Sequence, residues 1–265
     1  MTNNLAAFLG DPNFPRIIMS ASQGEKIIRF QNLYKTYSSL LFTNPTDRPI
    51  AVGGIQRRLL AAFGTRGGYG VFDEDVKTGQ LGLLRRSLLW YRAGDGEGNS
   101  RLSRIEFSTT ELTNSAAPVV PSWSWMAYIG EICFLKLEFG AIDWVRIGSP
   151  WGAEDSQMTT RFDDGTRNLA LKAAARIINM SLANVMEAGE LYFDDSTRVR
   201  GKEILCVVLG AEKQKLAAGD RTHYFILIEP VASSGLDPNK TYERAGAGYL
   251  PGSYLGREVG WVEIY

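Results

Sequence analysis

From Glu25 the apolar positions Ile27, Phe30, Tyr34, Tyr37 and Leu41 recur every three or four residues, which predicts an amphipathic helix. Asn44-Pro45-Thr46-Asp47 stops it, and Pro49 suits the first turn of a second helix. There Val52, Ile55, Leu59 and Ala62 or Phe63 form one stripe. Gly53-Gly54 inside that stripe costs helix propensity, about 1 kcal/mol per glycine, and close packing on the preceding helix is the expected return. Gly64-Thr65-Arg66-Gly67-Gly68 ends the pair as a C-terminal cap and hairpin lead-in. Residues 1 to 22 read as an irregular lead-in.

After Tyr69 the period changes from helical to short β-branched and aromatic runs separated by polar turns. The runs are Ser87 to Arg92, Trp123 to Ile129, Cys133 to Phe139, Asp143 to Ile147, Leu169 to Met180 and Glu190 to Phe193. Glu203 to Ala211, His223 to Val231, Tyr242 to Tyr249 and Trp261 to Tyr265 follow. In Leu169 to Met180 the triplet Ala173-Ala174-Ala175 fits helix as well as strand. The expected fold class is α+β in a single domain spanning 1–265. A helical N-terminal part, 1–70, precedes a β-rich part, 71–265, whose antiparallel sheet curls into a barrel or sandwich.

The densest aromatic signal is Pro121-Ser122-Trp123-Ser124-Trp125-Met126. In an extended strand Trp123 and Trp125 would share one face and Ser122 and Ser124 the other. Each indole needs a partner for its N–H, so such a pair anchors a core or floors a pocket. The segment resembles the Pro-Ser-Trp-Ser-Trp signature of the fungal heterokaryon-incompatibility (HET-domain) proteins, in the region that follows their N-terminal domain. Asp47-Arg48-Pro49-Ile50-Ala51-Val52-Gly53-Gly54 leading into Arg57-Arg58-Leu59 is similar to the same region. So are Gly82-Leu83-Leu84 with Ser87-Leu88-Leu89-Trp90, and Tyr242-Glu243-Arg244-Ala245-Gly246-Ala247-Gly248. Together they cover most of residues 25 to 250. The family's N-terminal domain, thought to be related to Toll/interleukin-receptor-type signalling domains and to trigger cell death, is not expected to have a counterpart in this sequence. The resemblance therefore implies a recognition or sensing module, free-standing or a fragment of a longer signalling protein, without carrying over the killing activity.

Composition narrows the chemistry. Apolar residues make up 45% and charged residues 22%, ordinary for a folded domain. Lys plus Arg and Asp plus Glu balance at 29 each, so no net field recruits nucleic acid or an anionic membrane. Apolar stretches such as Ile204 to Leu209 fall far short of the roughly 20 residues that span a bilayer. The N-terminus lacks the basic start and apolar run of a signal peptide. Cys133 and Cys206 lie in apolar runs as buried thiols, and the compartment reads as cytosolic.

No metal site or cofactor is expected: His223 is the sole histidine and the cysteines lack ligand spacing. Asp163-Asp164-Gly165 and Asp194-Asp195-Ser196 read as turns rather than acid/base dyads. Arg57, Arg58, Arg66, Arg85, Arg86 and Arg92 interleave with Tyr69, Trp90 and Tyr91, and Asp73, Glu74 and Asp75 nearby suggest ion pairs on a solvated face. The strongest ligand candidates are aromatic. Trp90, Trp123 and Trp125 would wall a cavity inside the curled sheet, with Arg92, Ser122, Ser124 and Tyr128 orienting a hydrophobic ligand. His223 and Arg92 are the candidate proton-transfer groups. Two functions fit: a non-catalytic module that recognises a protein or a small apolar molecule, and a metal- and nucleotide-independent cyclase or isomerase of fungal secondary metabolism. A pocket with ionisable groups favours chemistry; a filled interior with an exposed apolar patch favours recognition.

Overall fold

The computed structural model describes residues 19–40, 42–74, 81–94, 102–107, 120–151, 169–179, 187–195, 204–216, 219–231 and 241–265. Helix α1 spans Gln23–Ser38 and opens with a capping box: the Ser22 hydroxyl accepts from the Glu25 amide, and the Glu25 carboxylate accepts from the Ser22 amide at 2.8 Å. It buries Ile27, Phe30 and Tyr34 of the predicted stripe together with Leu33; Tyr37 is half-buried, and Leu41 lies outside the described residues. A 3-10 turn, Pro45–Asp47, leads into α2, Arg48–Phe63, with Pro49 in its first turn. Helix α2 ends where Gly64 adopts φ 66° and returns its N–H to the Leu60 carbonyl. At Gly54 the close-packing expectation is not met, because a Cβ there would meet nothing within 4 Å.

The glycines after α2 form a hairpin. β1, Gly67–Gly68, pairs with β2, Val71–Phe72, around Tyr69 (φ 51°) and Gly70 (φ 76°). Two consecutive left-handed residues in a two-residue loop are the type I′ geometry that matches strand twist. Gly70 is required twice over, since a Cβ would lie 2.1 Å from the Trp125 indole nitrogen. The short helix α3, Leu83–Leu88, replaces the first half of the strand expected at Ser87 to Arg92; only β3, Trp90–Arg92, is extended.

β4, Ser103–Arg104, pairs with β5, Tyr128–Ile129, and β6, Ile132–Phe134, pairs with β3. The remaining strands are β7 (Ile142–Trp144), β8 (Leu171–Ile178), β9 (Glu190–Phe193) and β10 (Leu205–Glu212). β11 (Thr222–Pro230), β12 (Thr241–Pro251) and β13 (Leu255–Ile264) complete the chain. Five of them close a barrel in the circuit β8–β10–β11–β12–β13–β8. Every seam is antiparallel except β12–β13, where Thr241 and Tyr242 meet Glu263 and Ile264 in parallel. β9 and β7 extend the sheet beyond β12 and β10. The architecture is α+β: a helix pair followed by a mostly antiparallel, barrel-forming sheet, as expected. The ambiguous alanine triplet is strand, with Leu171, Ala173 and Ala175 buried and Lys172 exposed between them.

One face of the sheet carries Ala175, Val207, Leu209, Ile226 and Ile228 into a large core shared with α1, α2 and the indoles. The other carries Cys206, Val208, Phe225, Leu227 and Leu250 into a smaller cluster. No helix among the described residues is long and apolar enough to cross a membrane.

Candidate functional site

The Pro-Ser-Trp-Ser-Trp segment is not a strand. The Ser124 amide donates to the Pro121 carbonyl at 3.0 Å, closing a turn, and the Ser124 hydroxyl caps a 3-10 helix, Trp125–Ala127, by accepting from the Met126 amide. A hydroxyl that bonds its own backbone competes with sheet pairing, so alternation never applies here. Trp90, Trp123 and Trp125 have no exposed surface, and none of them sits on a barrel strand. The Trp90 indole donates to the Trp123 carbonyl at 3.0 Å, and Trp123 donates to the Leu169 carbonyl at 3.1 Å. Trp261, which does sit on a barrel strand, is 55% exposed. The expectation that the indoles wall a cavity inside the curled sheet is thus corrected: they pack the space between helices and sheet.

The other sequence-selected residues join that core. The Ser122 hydroxyl accepts from the Arg244 amide at 2.9 Å and donates to the Tyr265 carbonyl. The Ser124 hydroxyl donates to the Tyr69 carbonyl at 2.5 Å. Tyr128 lies 5.5 Å from Trp90, ring to ring, and its hydroxyl is pushed to a high pKa, chiefly by burial. Arg92 alternates with Tyr91 on β3, on the Trp90 side, near enough to Asp194 to favour its charge. His223 lies on the strand face opposite Thr222 and Tyr224, with Nδ1 2.8 Å from the Arg221 carbonyl.

At the centre of this core stands Arg244, a residue the composition arguments passed over. It is 2% exposed, and its guanidinium lies 3.4 Å from the centroid of the Trp90 ring. Nε and Nη2 donate to the Asp194 carboxylate at 2.9 and 3.3 Å. Nη1 donates to the Leu88 carbonyl at 3.0 Å and Nη2 to the Trp90 carbonyl at 2.6 Å. Asp194 bends off the end of β9, as its turn-like sequence suggests, yet its side chain is buried rather than solvated. Burial raises its pKa, opposed by the Arg244 charge. Asp163-Asp164-Gly165 lies outside the described residues. Arg85 and Arg86 are also buried, which corrects the solvated-face expectation: Arg85 pairs with Glu74 at 2.5 Å, and Arg86 donates to the Leu137 and Glu138 carbonyls. Cys206 is an inert thiol, pushed up to about 12 by burial.

A cavity of about 440 Å3 lies elsewhere, and no tryptophan lines it. Its floor follows from strand register. Tyr249 on β12 stands opposite Glu190 on β9 and opposite Tyr224 on β11; Tyr192 stands opposite Ala247, and Gly210 opposite Tyr224. Two-residue alternation puts Glu190, Tyr192, Tyr249, Thr222, Tyr224 and Glu212 on one continuous face of four adjacent strands. The facing wall is Tyr91 of β3 with Leu135 and Lys136 after β6. Tyr91 and Tyr192 lie 4.1 Å apart at 31° between ring planes; Tyr224 and Tyr249 lie 5.9 Å apart at 45°.

The Tyr224 hydroxyl is a committed donor. It donates to Glu212 Oε1 at 2.6 Å, and Glu190 stands opposite Tyr249 in the β9–β12 register. Burial first, then these carboxylates, raise both phenol pKa values; Tyr91 is raised by burial and by Cys133 beside it. Arg244 braces the two walls, since it holds Leu88 and Trp90 around β3 and Asp194 at the end of β9. Sequence reasoning missed this site because it ranked indoles above phenols. The signal present was the one-residue spacing in Glu190-Leu191-Tyr192 and Thr222-His223-Tyr224, polar and aromatic groups sharing one strand face. No family model, no curated protein and no solved structure matches the chain.

Proposed function

We propose that the protein is a recognition module, related to the region following the HET domain of fungal incompatibility proteins, that binds a small organic molecule in the tyrosine-lined cavity. The observation that supports this most is the cavity itself: about 440 Å3 lies within the roughly 300–1,000 Å3 range of ligand pockets, with aromatic walls and a few convergent polar groups. Recognition is favoured over catalysis by how those groups are used. Glu212 already accepts the Tyr224 phenol, and burial raises the pKa of both phenols, so neither Tyr224 nor Tyr249 is poised to release a proton near neutrality. His223 and Arg92 line no part of the cavity.

The test is titration with a panel of small metabolites, read by tyrosine-excited fluorescence. Saturable binding is expected in the wild type and in Trp123→Tyr, and loss of binding with retained melting in Tyr192→Leu. A response unchanged in both Tyr192→Leu and Glu212→Gln would place any binding elsewhere and refute the proposal. Isomerised or cyclised product in the same mixtures would convert the reading to an enzyme.

A further inference from the structure

We infer that the cavity selects an organic ammonium ion that carries an anionic tail, an inference that rests on the reading of this cavity as a small-ligand site. Four phenol rings line it: Tyr91, Tyr192, Tyr224 and Tyr249. A ring face is the negative end of the aromatic quadrupole and attracts an ammonium group. Donation of the Tyr224 hydroxyl to Glu212 shifts electron density from the O–H into its ring, which strengthens that attraction, and Glu190 stands beside Tyr249 in the strand register.

The carboxylates add to the same preference without competing for one another. Glu190 lies on β9 and Glu212 on β10, with β12 and β11 between them. Three strand spacings separate their backbones, about 14 Å. They flank the phenol floor rather than closing on a shared proton or metal ion. A carboxylate has about four lone-pair sites, so one phenol leaves acceptor capacity facing a ligand. A neutral apolar ligand would leave this capacity desolvated and unused, which penalises it.

Lys136 sets the polarity of the ligand along the cavity. It lines the cavity from the wall opposite the sheet, is solvent-exposed, and makes no hydrogen bond or ion pair with a described residue. An ammonium group seated on the phenols points its remaining substituents toward this side. A carboxylate or phosphate there meets the lysine. An ammonium-first, anion-outward zwitterion matches the two signs of charge in the lining, the carboxylates on the sheet side and Lys136 on the other.

The experiment compares three soluble probes on the full chain by calorimetry and tyrosine NMR: choline, its uncharged carbon isostere 3,3-dimethylbutan-1-ol, and glycine betaine. Choline should bind at least tenfold more tightly than the isostere, and Glu190→Gln should narrow that gap, because Gln keeps the side chain's size and polarity and removes the charge. Betaine should bind more tightly than choline, and Lys136→Ala should abolish only that advantage. Equal binding of choline and its isostere overturns the ammonium assignment while the small-ligand reading stands. Betaine binding no better than choline overturns the anionic tail. Failure of all three, with a neutral metabolite still shifting the cavity tyrosines, overturns the whole inference alone. If no small molecule perturbs those tyrosines, the underlying site reading fails with it.

Discussion

Removing the Asp194 carboxylate should be among the most damaging single changes available to this chain. Arg244 and Asp194 are 2% and 4% exposed, so their attraction acts in a medium that screens poorly. Breaking a buried pair from one side leaves the other charge stranded, typically at about 3–5 kcal/mol. In Asp194→Ala the guanidinium keeps the Leu88 and Trp90 carbonyls and the Trp90 ring, so the lower end, about 3 kcal/mol, is expected. Arg244→Met strands a carboxylate and frees both carbonyls, each worth about 1–3 kcal/mol when left unsatisfied, so it should cost more. Protonation of Asp194, already favoured by burial, should soften the Arg244→Met penalty at low pH. The double change Arg244→Met with Asp194→Leu removes both charges and leaves only the two carbonyls, about 2–6 kcal/mol in all. It should therefore be less destabilised than the two single changes summed. Urea unfolding followed by tryptophan fluorescence measures all four species; a domain with about 5–15 kcal/mol of stability has room for the measurement. Two results would refute the reasoning: an Asp194→Ala cost under about 1 kcal/mol, or strict additivity in the double-mutant cycle.

Two further perturbations probe charges outside the cavity. Arg48 is 2% exposed, its Nη2 reaches the Ser38 carbonyl at 3.3 Å, and Nε and Nη1 have no hydrogen-bond partner among the described residues, so Arg48→Met should leave stability unchanged or raise it by about 1 kcal/mol despite the lost contacts with Phe42 and Trp125; a loss beyond about 2 kcal/mol in thermal unfolding would contradict this. Asp220 accepts the backbone N–H groups of Arg221, Gly252 and Ser253, which lower its pKa to about 2. A carboxyl depressed on folding contributes stability above its unfolded pKa and loses it as pH falls, here between about 4 and 2. The melting-temperature gap between the wild type and Asp220→Asn should accordingly be wider at pH 6 than at pH 2; a gap independent of pH would sink this account.

The local patterns reported local structure well. The stripe Ile27, Phe30, Tyr34 and the proline, glycine and capping positions around it are self-contained signals, and α1 and α2 follow them. Strands from Glu190 onward appear where β-branched and aromatic runs stand, because their pairing partners impose the same alternation the sequence displays. Misreadings came where a contact distant in sequence, or a hydroxyl turned back on its own backbone, decides the outcome. Leu83–Leu88 is short and leucine-rich, with arginines whose partners, Glu74 and the 137–138 carbonyls, lie outside the segment. Nothing in Asp194-Asp195-Ser196 signals an arginine fifty positions later. The cavity is a register property: Glu190, Tyr249, Tyr224 and Glu212 come together only once β9, β12, β11 and β10 are aligned.

The division of labour between indoles and phenols has a physical basis in their polar handles. An indole has a single donor, and deep in the core a backbone carbonyl can take it, as the Trp123 and Leu169 carbonyls do for Trp90 and Trp123. A phenol hydroxyl both donates and accepts, and suits a boundary where one side is packed and the other wet. Tyr91, Tyr192 and Tyr249 are half-buried at such a boundary, and the Glu212 carboxylate fixes the direction of donation by Tyr224. Arg244 connects the two regions: its stack on Trp90 lies in the core, and its bonds to Trp90 and Asp194 fix the spacing between the strands carrying Tyr91 and Tyr192. The same Asp194→Ala change that lowers stability should therefore loosen the 4.1 Å ring contact and weaken binding in the cavity before the fold is lost.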